Sequence, residues 1–246
     1  MDQKELAFFE KAMAHNQMKA LAGNVVLTDF LDETEQAILK KYEMPGISIL
    51  FDGGFIDAER KRALLKPKEL NASNFEYIVF EILYSKRFLE LNHRKLLGSL
   101  MSLGIERKSI GDIVILDNKR AFFACTKEIA PYLSTHLRQV SNVPVELEEC
   151  LEQIQVQKEI ISKDLIVSSL RLDVLISAIY KISRKDALNI IMEKEVFVNH
   201  LECLNPSKIL QKNDLLSVRH KGRAYLQDIL GKTRSDRIHI VVGILV

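Results

Sequence analysis

The stretch from Arg171 to Arg223 decides the fold of the C-terminal third: RLDVLISAIYKISRKDALNIIMEKEVFVNHLECLNPSKILQKNDLLSVRHKGR. Apolar residues recur at helical spacing near its start and predict a first helix. They are Leu172, Leu175, Ile176 and Ile179. Ser183 is a typical N-cap for a second helix, which would begin with Arg184 and Lys185. Two cations there oppose the helix dipole, but together with the free backbone amides they form a good site for a phosphate.

The second half of the stretch has the two-residue period of a β ribbon. This period predicts strands over Glu195–Asn199 and Leu215–Arg219. Turns are indicated at Asn205-Pro206 and at Asn213-Asp214. The segment Arg219–Arg223 then places three permanent positive charges around a flexible glycine. Arginine offers a rigid fork for phosphate oxygens and lysine a mobile point charge, so this end of the ribbon is suited to a polyanion.

The order of particular residues in this stretch also matches a known pattern. The matching residues are Arg171-Leu172-Asp173, Ser183-Arg184, Ala187, Val196-Phe197-Val198-Asn199, Pro206-Ser207, Asp214, Ser217-Val218-Arg219 and Gly222-Arg223. The segment resembles the S-four RNA-binding domain, a small module named after a ribosomal small-subunit protein. Three glycines of that family are replaced here, by Glu195, His200 and Asn213. Asparagine tolerates the left-handed backbone, whereas Glu195 would bring a negative charge near the RNA surface.

We therefore expect the cations of this segment to contact the RNA backbone. The expected phosphate contacts are Arg171, Arg184, Lys185, Lys208, Arg219, Lys221 and Arg223, with Asn199 as a polar hydrogen-bonding member. Such contacts supply most of the affinity for RNA and select a folded RNA shape rather than a base sequence.

The net charge of +2 hides an uneven distribution along the 246 residues. Residues 168–246 hold 13 Lys/Arg and 8 Asp/Glu, a net charge of +5, and the preceding residues have a net charge of −3. A basic C-terminal segment on a mildly acidic body predicts a polyanionic partner bound mainly through that segment. The hydrophobic fraction of 47% with 28% charged residues is typical of a globular chain and argues against wholesale disorder.

The remaining composition predicts a cytoplasmic protein without a membrane span. Cys125, Cys150 and Cys203 are too scattered for a disulfide framework or a zinc site, which favours a reducing compartment. The N-terminus is charged throughout and does not resemble a signal peptide. The apolar run Ile240–Val246 is too short to cross a bilayer and is interpreted as a closing strand.

Residues 1–72 are predicted to form an N-terminal α/β domain. Leu6, Phe9 and Met13 lie on one face of a first helix, and Asp32 is expected to cap a second. Ile47–Phe51 is a candidate strand. The run Ala58–Ala63 contains three adjacent bases, which leaves open either a solvated helix face or a nucleic-acid contact.

Residues 73–160 have the βαββαβ order of ferredoxin-like and RNA-recognition folds. The predicted elements are Tyr77–Tyr84, His93–Leu103, Asp112–Leu116, Arg120–Cys125, Lys127–Gln139 and Val143–Leu147, with a hairpin turn at Asp117-Asn118-Lys119 and an acidic spacer at Glu146–Glu152. Phe122 and Phe123 are adjacent and point to opposite faces, so they cannot form the joint stacking platform of an RNA-recognition motif. Secondary RNA contacts are proposed at Arg94, Lys95, Arg107 and Lys108, with ordinary solubilising charge as the alternative.

A second resemblance covers nearly the full length. The residues that carry it are His93-Arg94-Lys95-Leu96-Leu97-Gly98-Ser99-Leu100, Leu103-Gly104-Ile105-Glu106-Arg107, Gly111-Asp112-Ile113, Ala58–Ala63 and Ser168–Asp173. They resemble the YlmH family of bacterial RNA-binding proteins, whose members carry a C-terminal S-four domain. The resemblance implies an α+β chain of three small domains, bounded at 1–72, 73–160 and 161–246, the last being an S-four domain with a C-terminal β extension.

The same resemblance implies a non-enzymatic protein of the cytoplasm that acts on ribosomal RNA. The implied partners are the large ribosomal subunit and peptidyl-tRNA, with a role in ribosome-associated quality control or translation and a link to cell division. No cofactor, metal or small-molecule substrate is expected. Two alternatives stay open: an RNA-modifying enzyme with its active site in the first two domains, and a protein-interaction adaptor in cell division.

The residues themselves favour no catalytic site. Arg171-Leu172-Asp173 mimics the catalytic aspartate context of pseudouridine synthases, but it lies inside the predicted helix, so Asp173 is expected to anchor that helix or its basic neighbours. The glycines of Phe51–Phe55 do not have the spacing of a nucleotide-binding loop. The six histidines show no metal-ligand spacing, and Ser99 and Cys125 have no partnered base.

Overall fold

The structure, a computed structural model, describes residues 3–85, 91–116, 119–156, 160–233 and 236–245. The chain divides into two compact units, Met1–Gln157 and Lys158–Val246. The predicted domains 1–72 and 73–160 therefore fall within the first unit except for residues 158–160, which belong to the second, and the boundary at 72/73 stays a prediction. The predicted turn residues Asp117 and Asn118 lie outside the described residues. The α+β class is confirmed, because helices and antiparallel sheets occur in both units.

The first unit begins with a three-stranded sheet and two helices. These elements are α1 (Gln3–Leu21), β1 (Val26–Leu31), α2 (Glu33–Lys41), β2 (Ile47–Asp52) and β3 (Lys61–Pro67). The antiparallel strand order is β1-β3-β2. As predicted, Asp32 caps α2: its carboxylate accepts the Glu35 amide at 2.9 Å, and the Glu35 carboxylate accepts the Asp32 amide at 2.7 Å. Phe9 and Met13 of α1 pack on the core beneath this sheet.

The predicted βαββαβ order is present in the rest of the unit. Its elements are β4 (Tyr77–Tyr84), α3 (His93–Ser102), β5 (Ile110–Ile115), β6 (Ala121–Thr126), α4 (Ala130–His136), a short β7 (Gln139–Val140) and β8 (Val143–Glu149). The antiparallel order is β5-β6-β4-β8-β7, so the first and third strands of the motif are central. The predicted acidic spacer is partly wrong, because Glu146–Glu149 pair with β4.

Both faces of this five-stranded sheet are covered. On one face Phe80 and Phe123 pack with Leu96 and Leu100 of α3 and with Leu133 of α4. On the other face a second core joins strand residues to the N-terminal part of the chain. Its buried members are Phe30, Phe55, Ala58, Val79, Val114, Phe122, Ala124 and Ile154. Phe122 and Phe123 are therefore both core residues, on opposite faces as predicted.

The covering layer is held by specific contacts at β5. A Cβ on Gly111 would lie 2.7 Å from the Phe30 ring, so only glycine permits this close approach. The Asp112 carboxylate accepts the amides of Glu59 at 2.6 Å and of Arg60 at 3.1 Å. Gly111 and Asp112 belong to the stretch that resembles the YlmH family, and their role here is to join the two sheets.

The basic run Ala58–Ala63 is not a solvated helix face, and two of its three bases are engaged by the protein's own main chain rather than available to a nucleic acid. Its second half begins strand β3 rather than a helix. Arg62 is only 4% exposed and donates to the carbonyl oxygens of Thr28 and Glu76, among others. Arg60 donates to the carbonyls of Ile110 and Phe30. These two guanidiniums are structural because they satisfy main-chain oxygens between the two sheets.

The second unit contains the predicted helices and ribbon within a larger sheet. Its elements are β9 (Ile160–Val167), α5 (Leu172–Tyr180), α6 (Arg184–Met192), β10 (Val196–Val198), β11 (Leu201–Glu202), β12 (Leu215–Val218), β13 (Gly222–Lys232) and β14 (Ile238–Leu245). The antiparallel order is β11-β10-β12-β13-β14-β9. The predicted closing strand is present as β14. Helices α5 and α6 bury Leu172, Leu175, Ile176 and Ile191 against one face of the sheet.

No helix among the described residues combines the length and apolar character needed to cross a membrane.

Candidate nucleic-acid interface

Two arginines of the predicted site converge on one buried carboxylate. Arg171, at the start of α5, donates from Nε to Asp173 Oδ1 at 3.0 Å, and Arg184, the first residue of α6, donates to Oδ2 at 2.5 Å. The Asp173 side chain is 1% exposed, whereas those of Arg171 and Arg184 are 37% and 60% exposed. Asp173 thus anchors its basic neighbours, as predicted, and each guanidinium keeps further N–H groups for another acceptor.

The two arginines also set the ionisation of Asp173. Burial alone would raise its pKa, but the hydrogen bonds and positive charges of Arg171 and Arg184 outweigh burial, so the pKa lies below its ordinary value. Asp173 is therefore ionised at neutral pH, and the three side chains together carry a net charge of +1.

This ion-paired centre gives an expected pH dependence of stability. The pKa of Asp173 is lower in the folded state than in the unfolded state. Ionised Asp173 therefore contributes fully to the free energy of unfolding above the ordinary pKa of 3.8, and this contribution is lost as pH falls below that value. We expect Asp173→Asn to lower the free energy of unfolding at pH 7 by about 1.5–3 kcal/mol and to flatten the decline in stability between about pH 4 and 2. Urea unfolding across this pH range measures both effects.

Asp228→Asn is the matched control for that experiment. Its carboxylate pairs with Lys212 at 2.9 Å on the surface, where solvent weakens ion pairs. The control should change stability much less than Asp173→Asn. If both variants lose the same free energy of unfolding, or if the stability of Asp173→Asn declines below pH 4 as steeply as that of the wild type, the ion pairs of Asp173 do not stabilise the unit.

Lys185 and Lys208 lie beside this centre. Lys185 is exposed in the first turn of α6, where Ser183 caps the helix by accepting the Asp186 amide at 3.0 Å, as predicted. Lys208 is exposed in a turn whose main chain joins the start of α5, since its carbonyl accepts the Leu172 amide at 2.8 Å. We name Arg171, Arg184, Lys185 and Lys208 the helix-end cluster.

The other three predicted cations lie on and beside the β12–β13 hairpin. Arg219 follows β12, and its guanidinium lies 5.6 Å from the centre of the Phe197 ring. Arg223 is half-buried in β13 opposite Ser217, which in turn is opposite Phe197. Lys221 is exposed between the two strands. We name Arg219, Lys221 and Arg223 the hairpin cluster, which therefore has an aromatic ring at its edge.

The two clusters lie towards opposite ends of α5. Asp173 is in its first turn, whereas Tyr180 at its last residue donates its hydroxyl to the Gly222 carbonyl at 3.0 Å. Seven residues of helix separate these anchors by about 10 Å. In the part of the chain that the structure describes, Lys185, Lys208, Arg219 and Lys221 form no ion pair with a carboxylate.

Asn199 is predicted to form a hydrogen bond with RNA, but its side chain already forms hydrogen bonds within the protein. Its side chain donates to Asp214 at 2.7 Å and accepts the Leu215 amide at 2.9 Å. These contacts fix the turn between the strands of the ribbon. Two of the three residues at family glycine positions keep the left-handed backbone: φ is 67° at His200 and 72° at Asn213. At the third, Glu195, the carbonyl accepts the Arg219 amide at 3.0 Å.

The four secondary residues of the first unit divide into two pairs. Arg94 and Lys95 are exposed in the first turn of α3, which Asn92 caps by accepting the Lys95 amide at 2.9 Å. Arg107 is half-buried and donates to the carbonyls of Ile110 and Gly111. Burial, reinforced by the charge of Arg60, lowers the pKa of Arg107 to about 10.

Lys108 is engaged by carboxylates. Its ammonium lies 2.9 Å from Glu106 and 3.6 Å from Asp29. The structure therefore directs Arg107 and Lys108 towards the protein itself, and Arg94 and Lys95 are the members of the secondary set that remain suited to an RNA contact.

Comparison with known proteins assigns the chain to a family. Residues 71–154 match the family described as "Putative RNA-binding domain in YlmH". The "Ribosome-associated protein quality control protein P2" of Bacillus subtilis (strain 168) is 33% identical over 238 residues, which cover 95% of this chain and 92% of that protein. The chain belongs to the YlmH family. A solved structure, "Cell division protein ylmH from Streptococcus pneumoniae", is similar with 30% identity and a TM-score of 0.49, over 61% of this chain and 93% of that one.

The part matched as an RNA-binding domain of the YlmH family is thus the βαββαβ part of the first unit. Among the described residues, the N-terminal part of the chain packs on one face of its sheet and the helices on the other, so the strand residues buried there are not available for stacking bases. The sequence pattern does not reveal this covering, since Phe30 and Phe55 precede the sheet by many residues. Any contact of this domain with RNA has to use another surface.

Proposed function

We propose that this YlmH-family protein binds ribosomal RNA without catalysing a reaction, and that it acts on the large ribosomal subunit in quality control. The observation that carries the proposal is the helix-end cluster, in which two exposed guanidiniums are held on a buried carboxylate beside two exposed lysines. The name of the Bacillus subtilis relative, a ribosome-associated quality control protein, supports the same function.

The geometry of the cluster favours a phosphate backbone as the ligand. Arginines that are already oriented lose less conformational entropy when they bind, which increases affinity. Their fork of donors suits the oxygens of a phosphate, and Lys185 and Lys208 add two mobile charges. In this proposal the second unit is an S-four domain, and its two clusters bind successive phosphates of a folded RNA, with tRNA within reach.

Catalysis by Asp173 is disfavoured by its surroundings. Both carboxylate oxygens accept hydrogen bonds from arginines, and the side chain is buried, so a substrate base has no access to it. Among the described residues, His, Cys, Asp and Glu side chains do not gather into a group of three or more that could hold a metal ion.

Crosslinking of the protein to RNA in growing cells, followed by sequencing of the bound RNA, tests the proposal. We expect the crosslinks to concentrate in one region of large-subunit ribosomal RNA and its neighbouring tRNA. Dispersed crosslinks without enrichment in ribosomal RNA would contradict it.

Two further measurements address the alternatives. RNase treatment should release the protein from its partners, whereas an adaptor in cell division would keep them. A modification map of ribosomal RNA with and without the protein should be unchanged, whereas a modifying enzyme would leave a missing modification.

A further inference from the structure

A groove on the helix side of the βαββαβ domain has the properties of a second nucleic-acid site. It has a volume of about 600 Å³ and lies between α3 and the segment that follows α4. We call it the α3–α4 groove. Its lining includes the cations Arg94, Lys95 and Arg138 together with His136, and none of the described residues that line it is acidic. Three cationic side chains without a lining carboxylate attract an anion.

The walls of the groove also carry hydrogen-bonding groups. Ser99 and Ser102 donate their hydroxyls to helix carbonyls, at 3.1 and 2.7 Å, so their lone pairs stay available to a donor. Among the described residues, the Arg138 side chain makes one hydrogen bond, from Nε to the Thr135 carbonyl at 2.8 Å. The terminal guanidinium nitrogens of Arg138 and the exposed Arg94 side chain can therefore bind phosphate oxygens from two sides.

Gly98 lies in the groove wall at a position where packing does not require glycine. A Cβ on Gly98 would meet nothing within 4 Å, and its backbone is helical. Glycine inside a helix costs about 1 kcal/mol relative to alanine. Glycine at this position leaves the helix backbone open towards the groove, so a ligand can approach it closely there.

An aromatic pair stands at the edge of the groove. The rings of Tyr132 and His136 are stacked, with centroids 4.1 Å apart and an interplanar angle of 20°. His136 Nδ1 lies 2.9 Å from the Tyr132 carbonyl oxygen, which can only accept, so Nδ1 is the donor of this hydrogen bond, which fixes the orientation of the ring. Both side chains are exposed, and exposed rings beside cations are typical of surfaces that stack unpaired bases.

We infer that the α3–α4 groove binds a single-stranded RNA segment, with a phosphate between Arg94 and Arg138 and an unpaired base against the Tyr132–His136 pair. The inference rests on the proposed function, because it takes RNA as the ligand of the protein. It adds a second site with a different preference, since the C-terminal clusters bind a folded RNA. The covered sheet explains why this domain uses its helix side.

Fluorescence anisotropy with 5′-fluorescein-labelled decauridylate and the full chain tests the inference. Arg94→Glu should weaken binding about tenfold or more and lessen the slope of log affinity against log salt by about 0.7. An acid in the first turn of α3 favours the helix dipole, so the variant should fold as well as the wild type. Gly98→Leu should raise helix stability, fill the groove and weaken binding at least fivefold.

Lys68→Glu is the matched control for the charge change, because Lys68 is exposed in the same unit and does not line the groove. It should bind decauridylate nearly as the wild type does. Wild-type affinity of both Arg94→Glu and Gly98→Leu, or an equal loss in the control, would overturn the inference.

A second ligand separates this inference from the proposed function. Co-sedimentation with ribosomes should depend on the C-terminal clusters, and a variant lacking those cations should still bind decauridylate through the groove. If ribosome binding survives the loss of the C-terminal cations while Arg94→Glu loses decauridylate, the proposed function fails and the groove remains. If ribosome binding depends on the C-terminal cations while Arg94→Glu keeps wild-type affinity for decauridylate, the inference about the groove fails and the proposed function stands.

Discussion

Alanine at Lys185, Lys208, Arg219 and Lys221 together is expected to weaken the affinity for ribosomal RNA by about a hundredfold to a thousandfold at 0.15 M salt. Each contact of a cation with a phosphate contributes about 1 kcal/mol net, and every 1.4 kcal/mol changes affinity tenfold. All four side chains are exposed, so the unfolding midpoint should change little. Arg171 and Arg184 are kept because they stabilise Asp173.

The salt dependence of binding provides a second measurement on the same variant. If the wild-type protein neutralises about five phosphates, log affinity should fall against log salt with a slope of roughly −3.5 to −4.5. Arg171, Arg184 and Arg223 remain in the variant, so up to three contacts are left and the slope should be no steeper than roughly −2.1 to −2.7. Filter binding of a large-subunit RNA fragment at several salt concentrations gives both slopes.

A variant with alanine at Lys11, Lys40, Lys163 and Arg237 is the control, because it changes the net charge equally at exposed positions outside both clusters. It should lose little affinity and keep most of the slope. If the control loses as much as the cluster variant, binding follows total charge, and the two clusters do not form a specific surface.

Arg62→Ala is expected to have the largest effect on stability, a loss of about 3–5 kcal/mol. Arg62 is 4% exposed, and its guanidinium donates to the carbonyls of Thr28, at 2.7 Å, and of Phe75, at 3.0 Å. Burial lowers the pKa of Arg62, and the charge of Glu128 opposes that effect. Alanine would leave these carbonyls without donors and a cavity between the sheets.

Chemical denaturation of Arg62→Ala, Arg62→Lys and Lys61→Ala measures this effect. Lysine keeps the charge but not the fork of donors, so its loss should be intermediate. Lys61 is the neighbouring base, and among the described residues its side chain forms no hydrogen bond or ion pair, so its replacement should change stability by about 0.5 kcal/mol or less. If Arg62→Ala lowers the free energy of unfolding no more than Lys61→Ala does, Arg62 is not a structural residue of the core.

Short-range signals in the sequence predict much of this fold. Ser183 and Asp32 cap the helices that were expected, because a cap and its amide partner are three residues apart. The strands of the ribbon also lie where the two-residue period places them. The sequence pattern does not predict strand β9, because its pairing partner β14 lies far along the chain and three consecutive residues at its centre, Ser162, Lys163 and Asp164, are polar or charged.

In the candidate site, too, the sequence predicts contacts between residues close in the chain but not contacts that depend on the folded sheets. Asp173 could be expected to anchor basic neighbours, since it lies in the same helix as Arg171 and near the next helix start. The structural roles of Arg62 and Arg107 could not, because their acceptors are main-chain oxygens whose positions depend on the folded sheets. His136 and Arg138 carry no motif, and only the tertiary arrangement of α3 and α4 brings them beside Arg94.

The layer over the βαββαβ sheet determines how the protein can be divided. A polypeptide that began at residue 71 would retain the region matched to the family, yet Val79, Phe122 and Ala124 would face water without Phe30 and Phe55. Such a fragment should aggregate, because a contiguous apolar strip on a sheet favours self-association. Shortened or fused versions for crystallography or cell biology should therefore keep the leading helices and strands and be cut near Gln157.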